Sequence, residues 1–186
     1  MATTPGPALP ADVYAVFCSS IDQAAVQRLF AAVALASQKS VQRVHLLFQS
    51  TGGNVADGVC LYNFFKTAPV DITLYNVGSV QSVAAVAYLG ARNRKTSARA
   101  TFQFHRTTAS PQGVRIGQLK TIAESVIADD ARTESILREH LNISADKWAV
   151  LDRGDLWFTG DEAIAARIAD QIAEFAPPAG SMIYSL

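Results

Sequence analysis

The sequence predicts an α/β protein built on a mostly parallel sheet with helices on both of its faces. Three observations predict it. Short apolar, β-rich runs alternate with helical patterns through residues 13–104. The strand-to-helix junctions carry glycines and capping residues, as crossover units require. The second half then changes character, with one long helical pattern near 114–141.

The elements follow in order. Val13–Cys18 reads as a buried strand. Asp22 can cap a helix running to about Ser37, with Ala25, Leu29, Ala32, Val33 and Ala36 on one face. Val44–Phe48 is a second strand, broken by Ser50-Thr51-Gly52-Gly53. A helix follows from about Val55 to Phe65, then a strand over Ile72–Val77. Gly78 and Ser79 read as a turn, and Gln81–Leu89 as an apolar helix. A basic loop with Arg92, Arg94, Lys95 and Arg99 leads to a strand over Thr101–Phe104. The long pattern places Leu119, Ile122, Val126, Ile136 and Leu137 at helical spacing, with Asn142 as a left-handed stop. Ser144 caps a short helix through Leu151. Thr159 and Glu162 form a capping box, and residues 170–175 hold a last strand or a helix end. The expected organisation is a tail over 1–12, one domain over 13–176 and a tail over 177–186.

Composition narrows the function. The 186 residues carry 16 basic and 16 acidic side chains, a net charge of zero, and are 49% hydrophobic but only 17% charged. Disordered chains show the opposite balance. Nucleic-acid binding calls for a basic face, and a polybasic membrane anchor for a cationic cluster. No apolar run is long enough to span a bilayer. Cys18 and Cys60 read as buried reduced thiols with no metal-ligand spacing, so no metal and no cofactor are expected, and a cytoplasmic setting is. The near-neutral, apolar chain also points toward self-association.

Four places could carry chemistry. Gly52-Gly53 lies between a strand and a helix, where glycine lets backbone approach a ligand and an amide can face negative charge; a tight turn is the ordinary alternative. Ser82 opens an apolar helix after a strand, like the serine of a nucleophile elbow, with Ser79 as rival and helix capping as the ordinary role. His105 ends a strand, where parallel sheets carry their sites; His45 and His140 read as structural. Asp155, with Asp152 as neighbour, precedes Leu156-Trp157-Phe158 and could orient a histidine.

In that order the blocks Ser50–Gly53, Gly78–Ala85, Phe104-His105 and Asp155–Ala163 resemble the Clp protease proteolytic subunit family, within the crotonase-like superfamily, over about residues 13–172. The resemblance implies repeated β-β-α spiral units and a projecting handle helix at about 110–150. It implies a serine endopeptidase with Ser82 as nucleophile, His105 as general base, Asp155 as the orienting acid, and the Gly53 and Val83 amides as oxyanion hole. It also implies peptide or unfolded-protein substrates, a homo-oligomer of heptameric or stacked double rings, and an unfolding ATPase as partner. The segment before the first strand is short for the family's N-terminal helix and axial loops that would dock that ATPase. Other departures are Thr51 for proline, Val83-Ala84 for Met-Gly, Arg106-Thr107 for Gln-Pro and Arg167 for glycine. The competing readings are a catalytically inactive scaffold and a crotonase-like acyl-CoA hydratase or isomerase. A Ser-Lys variant would use Lys120.

Overall fold

The computed structural model describes residues 12–186. The expected N-terminal tail therefore lies outside the described residues, apart from Asp12, which opens the first strand.

The larger sheet has six strands, all parallel. They are β1 (Asp12–Cys18), β2 (Arg43–Gln49), β3 (Asp71–Asn76), β5 (Asn93–Thr96), β8 (Gln171–Ile172) and β9 (Ile183–Ser185), in the order β8-β5-β3-β2-β1-β9. A three-stranded sheet stands beside it. Here β4 (Ser79–Gln81) runs parallel to β6 (Thr101–Phe104), and β7 (Leu156–Thr159) closes it antiparallel to β6.

The steps β1 to β2 to β3 to β5 all move the same way across the sheet. Right-handed crossovers then place the intervening helices on one face. These are α1 (Gln23–Gln38), α2 (Val55–Thr67) and α3 (Val83–Tyr88), with α1 packed on α2 and α2 on α3. The alternation in β2 follows from this: Val44, Leu46 and Phe48 are buried beneath the helices. Helices on both faces were the expectation. Instead the other face carries Tyr14, His45 and Tyr75, against which Phe175 packs edge-on.

Local capping behaves as the side chains dictate. Asp22 Oδ1 accepts from the Ala25 amide at 2.7 Å, and Asn54 Oδ1 from the Asp57 amide at 3.2 Å. Ser144 caps α5 (Ala145–Leu151), and the Thr159–Glu162 box caps α6 (Gly160–Ala165). The long helix α4 spans Ile116–His140. Its buried residues are Ile136 and Leu137, near its C-terminal end. The remainder stands clear of the core as an arm, with Ile116 and Ile127 88% and 68% exposed.

Several expectations are corrected. Gly78 lies in the bend before β4 as expected, but Ser79 already opens that strand, and the basic loop contains β5. Arg94 there pairs with Asp170 at 2.8 Å, which ties β5 to the chain before β8. Residues 183–185 are not a free tail, because β9 pairs with β1 and the Leu186 amide donates to Val16. Asn142 does not adopt the left-handed conformation. The α4 cap, Leu141, is extended, and the Asn142 amide donates to the Ala166 carbonyl. Cys18 is exposed, because Phe17 takes the core-facing side at the end of β1, and Cys60 is half-buried at the edge of the core. No helix among the described residues is long and apolar enough to cross a membrane.

Candidate active site

The site forms where β2, β4 and β6 end. The Ser50–Gly53 turn leaves β2 and meets the start of α1: the Ile21 amide donates to the Gly52 carbonyl, and the Asn54 amide to the Ile21 carbonyl, both at 2.9 Å. Only glycine fits at 53, since a Cβ there would stand 2.1 Å from the Ile21 carbonyl oxygen. The Gly53 amide donates to no other described residue. It is therefore available to an external acceptor.

Strand β4 delivers Ser82. The Gln81 amide donates to Ser50, and the Ser82 amide to Gln103 on β6 at 2.8 Å. This pair of bonds fixes Ser82 between the Gly-Gly turn and β6, the strand that His105 directly follows. Ser82 adopts φ 56°, ψ −136°, a positive-φ conformation costly to a non-glycine residue, by roughly 1–3 kcal/mol. Its hydroxyl makes no capping bond to α3. The strained strand-to-helix turn and the uncommitted hydroxyl are the attributes of a nucleophile elbow. Its rival Ser79 is committed: its Oγ accepts from Gln81 Nε2 at 2.8 Å and Thr101 Oγ1 at 3.2 Å. The Val83 amide, first in α3, also donates to no described residue.

Ser82, His105, Gly53 and Val83 line one cavity of about 130 Å³, walled by Phe104 and Thr133. No carboxylate and no lysine is in its lining. Lys120 instead sits exposed on the arm beside Glu124.

The orienting side of His105 differs from expectation. Its Nδ1 lies 2.6 Å from the Arg106 carbonyl oxygen. A carbonyl only accepts, so this contact puts a proton on Nδ1, and in the neutral ring that leaves the lone pair on Nε2, as a general base needs. Asp155 is exposed and shares no hydrogen bond with His105. The β6–β7 ladder ends with Phe104 opposite Leu156, so His105 follows and Asp155 precedes the two residues of its last pair. Asp152 is engaged elsewhere, accepting from Arg106 Nε at 3.2 Å. Ser82 Oγ and His105 share no hydrogen bond among the described residues, a looseness common in catalytic pairs without substrate.

Sequence reasoning passed over the base of the arm. Asp130 Oδ1 accepts from the Thr107 amide at 2.7 Å, and Glu134 Oε2 from Arg106 at 2.6 Å. The Arg106 guanidinium, with Arg138 behind it, holds the Glu134 carboxyl below its ordinary range. The i, i+4 spacing of Asp130 and Glu134 is the one sequence signal that places both on a single helix face.

His45 and His140 serve the framework. His45 stacks on Tyr14 at 4.8 Å between ring centroids, and His140 Nε2 lies 2.9 Å from the Tyr62 hydroxyl. Burial lowers the pKa of both. No group of three or more potential metal-ligating side chains occurs among the described residues.

The family model described as Clp protease matches residues 9–176. The ATP-dependent Clp protease proteolytic subunit 2 of Corynebacterium glutamicum is 26% identical over 161 residues, covering 85% of this chain and 80% of that one. Proteolytic subunit 3 of Rhodococcus jostii is 26% identical over 164 residues, covering 84% and 81%. A solved structure of a ClpP1 mutant from Listeria monocytogenes superposes with a TM-score of 0.73 at 19% identity, covering 88% of this chain and 91% of that one. The family match spans both the sheet that presents Ser82 and His105 and the projecting arm, and the chain is therefore a divergent member of the Clp protease family.

Proposed function

We propose that the chain is a serine endopeptidase that cleaves peptide bonds of unfolded or peptide substrates. Ser82 Oγ attacks the scissile carbonyl while His105 Nε2 takes its proton. The Gly53 and Val83 amides receive the developing oxyanion. Losing one such donor costs about 100- to 1000-fold in rate. Histidine then protonates the leaving amine, and water hydrolyses the acyl-enzyme by the same route.

The observation that carries this reading is Ser82 itself: a strained, uncapped serine at a helix start, beside two uncommitted amides and in one cavity with a histidine. Asp155 is the family's position for the orienting acid and directly precedes Leu156, which pairs with Phe104 at the end of the ladder. The proposal requires only the serine–histidine pair and the amides.

The working form is proposed to be a homo-oligomeric ring, stacked through the α4 arms, whose exposed Ile116 and Ile127 have no cover among the described residues. The ATP-dependent character in the relatives' names extends here as an unfolding ATPase partner, and the free thiols fit a reducing, cytoplasmic setting. A second reading, an inactive assembly subunit, draws on the missing Ser82–His105 hydrogen bond. A crotonase-like hydratase has less support, because no carboxylate lines the cavity.

Hydrolysis of an internally quenched, unstructured peptide by the assembled protein tests the proposal. Turnover that Ser82→Ala and His105→Ala abolish supports it. Assembled, folded protein without turnover, and without covalent capture of Ser82, selects the inactive-subunit reading.

A further inference from the structure

The cavity's base is held from behind in an arrangement that depends on Arg106. The Nδ1–H of His105 donates to the Arg106 carbonyl at 2.6 Å. The side chain of that same residue is clamped at both ends of its guanidinium. One edge donates to Glu134 Oε2 on α4 at 2.6 Å, while Nε donates to Asp152, just past α5, at 3.2 Å. Nη2 also reaches Asp152. The next amide, Thr107, is held by Asp130 on α4 at 2.7 Å. The peptide that presents the carbonyl is therefore fixed on both sides, by a fork that a planar, five-donor guanidinium is suited to make.

We propose that Arg106 is a positioning residue: clamped by Glu134 and Asp152, it sets its own backbone carbonyl as the acceptor that orients His105, in the role a carboxylate fills in a serine–histidine–acid triad. This rests on the assignment of His105 as general base. The clamp explains why the residue after His105 is arginine, since a shorter or uncharged side chain cannot reach both carboxylates. It also explains how His105 keeps its tautomer while Asp155 stays in solvent. The carbonyl donates nothing and takes up no proton, so the base is oriented without a second titrating group at Nδ1.

The test is a set of variants with two readouts. The first readout is the imidazole ¹⁵N spectrum of ¹⁵N-histidine-labelled protein, which reports the His105 tautomer whether or not the protein is active. The second is the rate at which Ser82 is phosphonylated by a fluorophosphonate, with fluoride as the leaving group, resolved into maximal rate and half-saturating concentration, as a function of pH. Arg106→Met, and separately Glu134→Gln with Asp152→Asn, are expected to replace the single Nδ1–H tautomer by a mixture. They should lower the maximal rate at least tenfold, with the half-saturating concentration within threefold. Arg106→Lys should restore part of the rate, and Asp155→Asn, read by the imidazole spectrum alone, should keep the Nδ1–H tautomer. The idea is overturned if the clamp variants keep the Nδ1–H tautomer and the rate, or if Asp155→Asn alone scrambles the tautomer. A wild type that shows the Nδ1–H tautomer but never reacts with the fluorophosphonate removes the peptidase reading and leaves the clamp standing.

Discussion

Gly52 backs directly onto Ser82: a β-carbon at position 52 would stand 2.5 Å from Ser82 Cβ and 3.0 Å from its Oγ. The Gly52 backbone is itself at φ +95°, where a side chain is strained. The turn and the serine are thus a single packed unit.

Gly52→Ala should displace Ser82 from its strained position. The expected outcome is at least a tenfold loss of Ser82 acylation, with about 1–3 kcal/mol of lost stability from the forced left-handed alanine. Urea unfolding alongside the acylation rate separates the two effects.

Arg167 gives a prediction of opposite sign. It follows α6 at φ 62°, where the Ile168 amide donates to Ala163 and the Arg167 amide to Ile164. That pattern is a Schellman motif, whose left-handed position favours glycine. Arg167→Gly should stabilise the fold by about 1 kcal/mol, the approximate cost of the left-handed conformation for a side-chain-bearing residue. Urea titration should show the midpoint rising with the slope unchanged.

Stability should depend on pH through the two framework histidines. Burial lowers His45 and His140, the latter also through the charge of Arg94. The unfolded chain therefore binds these protons first, near the ordinary histidine value of about 6.5. Their contribution is complete above that value and is lost as pH falls below it. Glu134 and Glu162 are also lowered, the first by Arg106 and the second by the Thr159 amide. Their contribution is present above about pH 4.5 and disappears below it. The melting temperature should be level from pH 7 to 8.5, decline toward pH 5.5 and fall more steeply under pH 4.5. His140→Gln, measured by the same thermal scans, should flatten the first decline.

The arm should govern assembly. Ile127 is 68% exposed and lies on the part of α4 that stands clear of the core. Ile127→Asp should lower the molar mass in solution while circular dichroism shows the protomer folded. An unchanged mass would remove the arm from the interface.

Much of this was legible in the sequence, for a physical reason. Asp22, Ser144 and the Thr159–Glu162 box are capping groups whose hydrogen bonds span three residues, so local sequence decides them. Gly53, Ser82 and His105 could be placed at strand ends because parallel strands present their ends on one side, while Val83 entered through the family resemblance. What was not legible depends on distant partners. Strand β5 looks like a basic loop until Arg94 meets Asp170, 76 residues later. Strand β9 exists because β1 offers an open edge. The acceptor at His105 Nδ1 is a backbone carbonyl, which every residue has, so no residue type announces it.

The central claim, that Ser82 is a nucleophile, is tested most directly by intact-mass spectrometry of the assembled protein after a fluorophosphonate. The account predicts one adduct per chain, mapped to Ser82, fully lost in Ser82→Ala and reduced at least 100-fold in His105→Ala. An unmodified mass for assembled, folded wild type, or an adduct that persists in Ser82→Ala, would contradict it.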